Sequence, residues 1–268
     1  MPNIIKTIAE RLGYQISKIG NSTIPNGNAG LYFCALLGAI AARGKLRIVQ
    51  IGANDGATGD PLHNFIREHA ERTEIILVEP QEFLVPILRE NYKFHAGTFV
   101  FNGAVGKKGT LELFAVDPAY WPKLNVPYAT RKGWPLYRAP SGITSSSKEH
   151  VSNWLQKFLP RSTDPENVIR QFSVPCLPLL DLLATFDLLP QVDVLQVDVE
   201  GADDEVIYQC DIATTAPAII YFETEHLSMQ RQVALSKYLE EKGYRVWRLG
   251  GNSLALAGYG KPGSGVQR

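Results

Sequence analysis

The chain is poor in the features that would assign it to several common classes. It has three cysteines, Cys34, Cys176 and Cys210, which are far apart and form no C-x-x-C pair. That excludes a disulfide framework and a clustered zinc motif, and it predicts reduced thiols in a cytoplasm. Charge of either sign is not in excess: 27 basic and 27 acidic residues give a formal net charge of zero. No polyanionic partner such as nucleic acid is implied. The longest apolar run, Leu31 to Ala42, is too short to span a bilayer, so a buried helix is expected and no stable membrane insertion. The first residues carry no basic stretch followed by an apolar core. Internal repeats and low-complexity tracts are absent.

What is present is ample apolar material and a regular alternation. The 268 residues are 45% hydrophobic, enough for one large domain with an extension. Residues 1–45 read as an N-terminal helical extension. Ile4, Ile5, Ile8 and Leu12 recur at helical spacing, a Gly/Asn/Pro-rich link follows, and an apolar helix covers 31–43. This helix could pack on the core or on a second subunit, so oligomer formation through the N-terminal helices stays open.

From residue 46 strands and helices alternate. Strands are predicted at 46–51, 74–78, 98–102, 192–197 and 218–222, with helices at 61–72, 80–92, 203–210 and 227–242. Asp60 and Pro61 supply an N-cap and a first-turn proline. Tyr244–Leu249 and Ser253–Ala257 flank a Gly-Gly-Asn turn and form a hairpin. Such a pattern predicts an α/β, doubly wound, mainly parallel sheet closed by a C-terminal antiparallel hairpin. One domain, 46–268, results, with an insertion at 117–170 before strand four. The insertion is rich in Tyr120, Trp121, Tyr128, Trp134 and Tyr137, with Arg131, Lys132 and Arg138 nearby. It is equally readable as a substrate cap and as a packed decoration.

The first strand runs Val49-Gln50-Ile51 into Gly52-Ala53-Asn54-Asp55-Gly56, and the second ends Val78-Glu79-Pro80. A glycine turn lets backbone approach a ligand, and a carboxylate ending the next strand can accept from both ribose hydroxyls. The glycines Gly52, Gly56 and Gly59 give G-x-x-x-G-x-x-G. A dinucleotide fold would need G-x-G-x-x-G, and Asn54 stands where its second glycine belongs. The site therefore suits a nucleoside without a pyrophosphate, with S-adenosylmethionine (SAM) as the leading cofactor. A nucleotide-dependent oxidoreductase on the same fold class is the weaker alternative. A non-catalytic SAM-binding module is the other.

These residues, with Asn102-Gly103-Ala104-Val105-Gly106, Gly109-Thr110-Leu111-Glu112-Leu113, Val197-Asp198-Val199-Glu200-Gly201-Ala202 and the ending Gly243–Val246 to Ser253–Leu256, resemble the FkbM-type SAM-dependent methyltransferases. The ordered set spans 46 to 257; residues 1–45 and 117–170 carry none of it. The resemblance implies a class I methyltransferase (Rossmann-like) fold, SAM as donor and O-methylation of a hydroxyl on a sugar, a glycan or a small secondary metabolite. Where the family usually has an acidic residue near the methionine amino group, this chain has Gln50, which offers a hydrogen bond but no charge.

The residue roles follow. Gly52, Ala53, Asn54 and Gly56 would form the turn against the methionine part, Glu79 would hold the ribose, and Gly103, Ala104 and Val105 would wall the adenine. Asp198 and Glu200 end the fourth strand, where a methyl group should face them. Asp198 is assigned to both cofactor and chemistry. Glu200 has a plainer reading, as a carboxylate favouring the dipole of the next helix. His226, after the fifth strand, is the further catalytic candidate as a general base. No metal site is assigned, but Asp198, Glu223 and His226 are the set that would hold a divalent ion such as Mg. His63, His69, His95 and His150 are read as surface or packing residues.

Overall fold

The computed structural model describes residues 29–258. The helix read at Ile4–Leu12 lies outside the described residues.

Strand β1 (Leu46–Ile51) is an interior strand of a seven-stranded sheet, with Leu46, Ile48 and Val49 fully buried. Its aliphatic run, buried on both faces, is the composition a central parallel strand requires. Strands β2 (Thr73–Val78), β3 (Thr98–Phe101), β7 (Val194–Val197) and β8 (Ile219–Glu223) run parallel to it. Strands β9 (Tyr244–Leu249) and β10 (Asn252–Ala257) form the closing hairpin. The order is β3-β2-β1-β7-β8-β10-β9. The antiparallel strand β10 is not outermost. It returns between β8 and β9 and pairs antiparallel with both. Strand order reverses between β1 and β7, so the carboxyl ends of these two strands open the crevice where such sheets bind ligands.

Helix α1 (Ala29–Arg43) carries Tyr32, Leu36 and Ile40, four residues apart and fully buried. They join the core on one sheet face with Leu62, Phe65 and Ile66 of α2 (Pro61–Glu68) and Leu88 of α3 (Leu84–Asn91). Tyr32 stacks on Tyr221 with ring centroids 4.2 Å apart and donates to Gln196 Oε1 at 3.1 Å. The buried face of this helix is thus spent on the chain's own core, each side chain contributing roughly 1.5–3 kcal/mol.

A second sheet, of order β4-β6-β5, stands beside the first. It comprises β4 (Ala104–Val105), β5 (Gly109–Val116) and β6 (Ile169–Leu177), and β5 pairs antiparallel with β6 from Gly109↔Cys176 to Val116↔Ile169. Between β5 and β6 lie the helices α4 (Pro127–Arg131), α5 (Arg138–Gly142) and α6 (Lys148–Phe158). These segments have small cores of their own. Val116, Ile143, Val151, Leu155 and Val168 gather Tyr120 and Trp121, while Val126, Ala129 and Ala139 gather Tyr128 and Trp134. Lys132 lies over the Trp134 ring at 4.5 Å. Most of the aromatic residues of the insertion are therefore packing. Helix α7 (Leu179–Thr185) follows β6, and α8 (Asp203–Gln209), α9 (Ile212–Thr215) and α10 (Met229–Glu241) complete the wound sheet.

Candidate functional site

The site begins where β1 turns. Gly52 has φ +84, and a Cβ on it would stand 1.8 Å from the backbone oxygen of Asp198. Only glycine lets the ends of β1 and β7 approach this closely. The N–H groups of Gly52 and Ala53 both donate to Val78 O at 3.0 Å. Asn54, at φ 51, then aims its own N–H at Glu79 Oε2, 2.8 Å away. The other oxygen of Glu79 accepts from Gln81 N at 2.8 Å and from Gln81 Nε2 at 3.1 Å. Burial pushes the Glu79 carboxyl up to about 7, against the lowering effect of the bonds from Gln81 and Asn54.

A cleft opens from this turn. Gly52, Asn54, Glu79, Gly103, Ala104, Val105, Asp198 and Glu200 all line it, drawn from the ends of β1, β2, β3 and β7 and from β4. Two residues expected at the cofactor do not line it. Ala53 is buried in the α1–α3 core, and the Cβ position of Gly56 points at Leu88 and Tyr92, so both shape the turn from behind. Gln50 also faces away from the cleft, donating through Nε2 to Asp60, the N-cap of α2.

A nucleoside whose ribose met Glu79 would face one condition. A carboxylate has about four lone-pair positions, and protein donors already fill three on Glu79. One remains for a ribose hydroxyl, and the second needs the Gln81 amide to swing aside.

Helix α5 of the insertion covers the turn. Tyr137 OH donates to Asp55 Oδ2 at 3.1 Å, Arg138 Nε to Thr58 O at 2.9 Å, and Asn54 Nδ2 to Ser141 Oγ at 3.0 Å. Gln81 Nε2 also donates to Ser141 O at 3.0 Å. The cap reading of the insertion thus has its basis in Tyr137, Arg138 and Ser141, three residues at one end of a segment that otherwise packs on itself. Ser141→Ala leaves the buried Asn54 amide short of a partner and is expected to cost about 1 kcal/mol. Thermal denaturation checks this, and an unchanged midpoint contradicts the clasp.

At the far end of the cleft acidic groups and imidazoles crowd together. Asp198 follows β7 and is exposed to the cleft, which it lines. The protein mass around it raises its carboxyl, with the charges of Arg138 and His226 pulling back. Glu200, at φ 55, is raised well above the usual range by burial and by the Asp198 charge. Glu223 is pushed up to about 10 by burial and then by Asp198, Glu200 and Asp203. These carboxyls share protons and do not all ionise together. His226 Nε2 lies 3.3 Å from Glu200 Oε2 and 3.8 Å from Glu223 Oε2.

His150, which the sequence places among surface or packing residues, has Nε2 3.2 Å from Glu200 Oε2 and its ring 4.6 Å from that of His226. Burial lowers both imidazoles below their ordinary range. Among the described residues, two sets have ligand atoms all within 4.8 Å of one another: His150, Glu200 and His226, and Asp198, Glu200 and Glu223. Glu200 is common to both, whereas the trio expected from sequence left it out.

A glycine turn, a buried carboxylate ending the second strand and a cluster of carboxylates and imidazoles past β7 and β8 meet on a Rossmann-like sheet. The Methyltransferase FkbM domain model matches residues 50–246, and the chain belongs to that family. No curated protein sequence matches it. Among solved structures it is similar to Methyltransferase FkbM from Methylobacillus flagellatus, with 13% identity, a TM-score of 0.46, and coverage of 79% of this chain and 43% of that one. The chain thus spans less than half the length of that relative. A putative O-methyltransferase from Klebsiella pneumoniae is similar at 11% identity and TM-score 0.42, covering 95% of this chain and 88% of that one. Human Methyltransferase-like protein 13 in complex with SAH is similar at 9% identity and TM-score 0.44, covering 90% and 86%. Among the described residues no helix is long and apolar enough to cross a membrane.

Proposed function

We propose that this chain binds SAM in the cleft and transfers its methyl group to a hydroxyl oxygen of a sugar, a glycan or a small secondary metabolite. The observation that carries this reading is the meeting of Gly52, Glu79, Gly103–Val105 and Asp198 in one cleft that ends at the Glu200 cluster. Glu79 accepts from the ribose, the Gly52 turn borders the methionine part, and Ala104 and Val105 flank the adenine. When bound, SAM supplies an electrophilic methyl group. The cleft end would align the acceptor oxygen with it, and one group of the Asp198, Glu200, His226 and His150 cluster would take the hydroxyl proton as the carbon–oxygen bond forms and the carbon–sulfur bond breaks, leaving the demethylated thioether. The α5 cover keeps water from the reacting atoms.

Calorimetric titration with SAM and its demethylated product, followed by labelled-methyl transfer to a panel of sugars and hydroxylated metabolites, tests the reading. Micromolar binding and transfer to oxygen support it, and absence of SAM binding sinks it. Binding without transfer to any hydroxyl acceptor leaves a SAM-binding module instead. Asp198→Asn at saturating SAM is expected to lower kcat about a hundredfold. A rate within twofold of the parent removes Asp198 from the chemistry.

A further inference from the structure

The imidazoles and carboxylates at the cleft end have a geometry that proton transfer alone does not require. His150 comes from α6 of the insertion, Glu200 from the loop after β7, and His226 from the loop after β8. Two ring nitrogens from separate elements converge on one oxygen, at 3.2 and 3.3 Å. Ligands about 2.0–2.1 Å from a tetrahedral ion are separated by about 3.3–3.4 Å along each edge, close to the two edges that meet at Glu200 Oε2, and all three ligand atoms lie within 4.8 Å of one another.

The backbone is arranged for this convergence. Glu200 holds a left-handed φ of 55, which a non-glycine residue adopts at a cost, and Ser145 Oγ donates to its carbonyl at 2.8 Å. Beside the three ligands lies a buried oxygen without a hydrogen bond, Glu223 Oε2, 3.8 Å from His226 Nε2. A buried polar oxygen without a donor is costly, and a cation would satisfy it.

We infer that His150, Glu200 and His226 bind one divalent transition-metal ion, with Glu223 as a further or outer ligand. Two imidazole nitrogens favour zinc, or its spectroscopic stand-in cobalt, over magnesium, calcium or manganese, which suit oxygen ligands. The metal's role rests on the methyl-transfer reading: beside the acceptor it would lower the pKa of the hydroxyl, with Asp198 left to take the proton. Binding of the ion itself needs only the three side chains. The insertion would then supply a ligand as well as a cover.

The test is titration of the metal-stripped full chain with cobalt(II), read by its visible d–d absorption and by calorimetry. One equivalent bound with the intensity of a four- or five-coordinate ion is expected. His150→Ala and His226→Ala should each weaken binding at least about tenfold, whereas His69→Ala, on the far side of α2, leaves it unchanged. Circular dichroism confirms that each variant is folded. No stoichiometric binding, or binding indifferent to both histidine variants, overturns the inference. SAM titration of the same preparation separates the two readings. SAM bound without cobalt defeats the metal site alone, and cobalt bound without SAM defeats the methyl-transfer reading alone.

Discussion

Gly52→Ala is expected to lower the thermal midpoint by about 10 °C and to abolish measurable SAM binding. Two effects combine. A side chain at φ +84 costs roughly 1–3 kcal/mol, and its Cβ would stand 1.8 Å from Asp198 O, an atom of backbone that cannot swing aside. The clash forces apart the ends of β1 and β7, adding about 1–3 kcal/mol. At about 2–4 °C per kcal/mol for a chain of this size, a fall of about 10 °C follows. Gly44→Ala is the control. Gly44 has φ +80, but nothing lies within 4 Å of its Cβ position, so it reports backbone strain alone. Equal midpoints for the two variants would show that the close approach of β1 and β7 does not matter. The binding loss has the same origin, since moving Asp198 away from the turn opens the wall of the cleft.

The sheet was legible because buried parallel strands announce themselves by composition. β1 falls at the residues expected, and β2 starts one residue earlier than expected. Helix boundaries were less legible. The helix expected over 61–72 ends at Glu68, where His69 takes φ −124, and continues only as a 3-10 turn over Ala70–Arg72. The helix expected from Pro80 begins at Leu84, after a turn over Glu82 and Phe83. Strand β6 was missed altogether. Its Arg170, Gln171, Ser173 and Pro175 dilute the apolar signal, and its partner β5 lies across the whole insertion. The same distance hid His150. On its own helix it neighbours the buried Val151, and nothing local says that its ring meets a carboxylate 50 residues away. Residues on strand ends were therefore legible, and residues brought in by the insertion were not. Motif spacing records the first kind of proximity and has no record of the second.

The two ends of the site are built differently. The turn end is built from strand ends and backbone, where N–H groups hold Glu79 and Ser141 of the insertion holds Asn54 and Gln81. The far end joins loops after β7 and β8 to a helix of the insertion. Both ends therefore depend on the insertion, through α5 at the turn and through α6 at Glu200.

Nucleoside affinity is expected to rise with pH through about 7 and to lose that dependence in Glu79→Gln. The buried Glu79 carboxyl titrates near 7 in the free protein, and a ribose hydroxyl donates far better to its ionised form. A hydrogen bond to a charged group contributes about 1.5–3 kcal/mol, so at pH 8 the variant should bind roughly 10- to 100-fold more weakly. Between pH 8 and pH 6 the parent should lose close to tenfold. 5′-Deoxy-5′-methylthioadenosine is the probe to use, since it keeps the ribose but has no amino or carboxyl group that titrates in this range. Stability of the free protein should move the other way. A carboxyl raised from 4.5 to about 7 contributes stability that is fully present below pH 4.5 and is lost as pH rises through 7. The parent should therefore lose midpoint relative to Glu79→Gln between about pH 5 and pH 8, while its ligand-induced rise in midpoint grows. The opposed signs come from one proton: the ionised form that the fold disfavours is the form that holds the ribose. Flat affinity across that range, or a variant as tight as the parent at pH 8, would take the ribose away from Glu79.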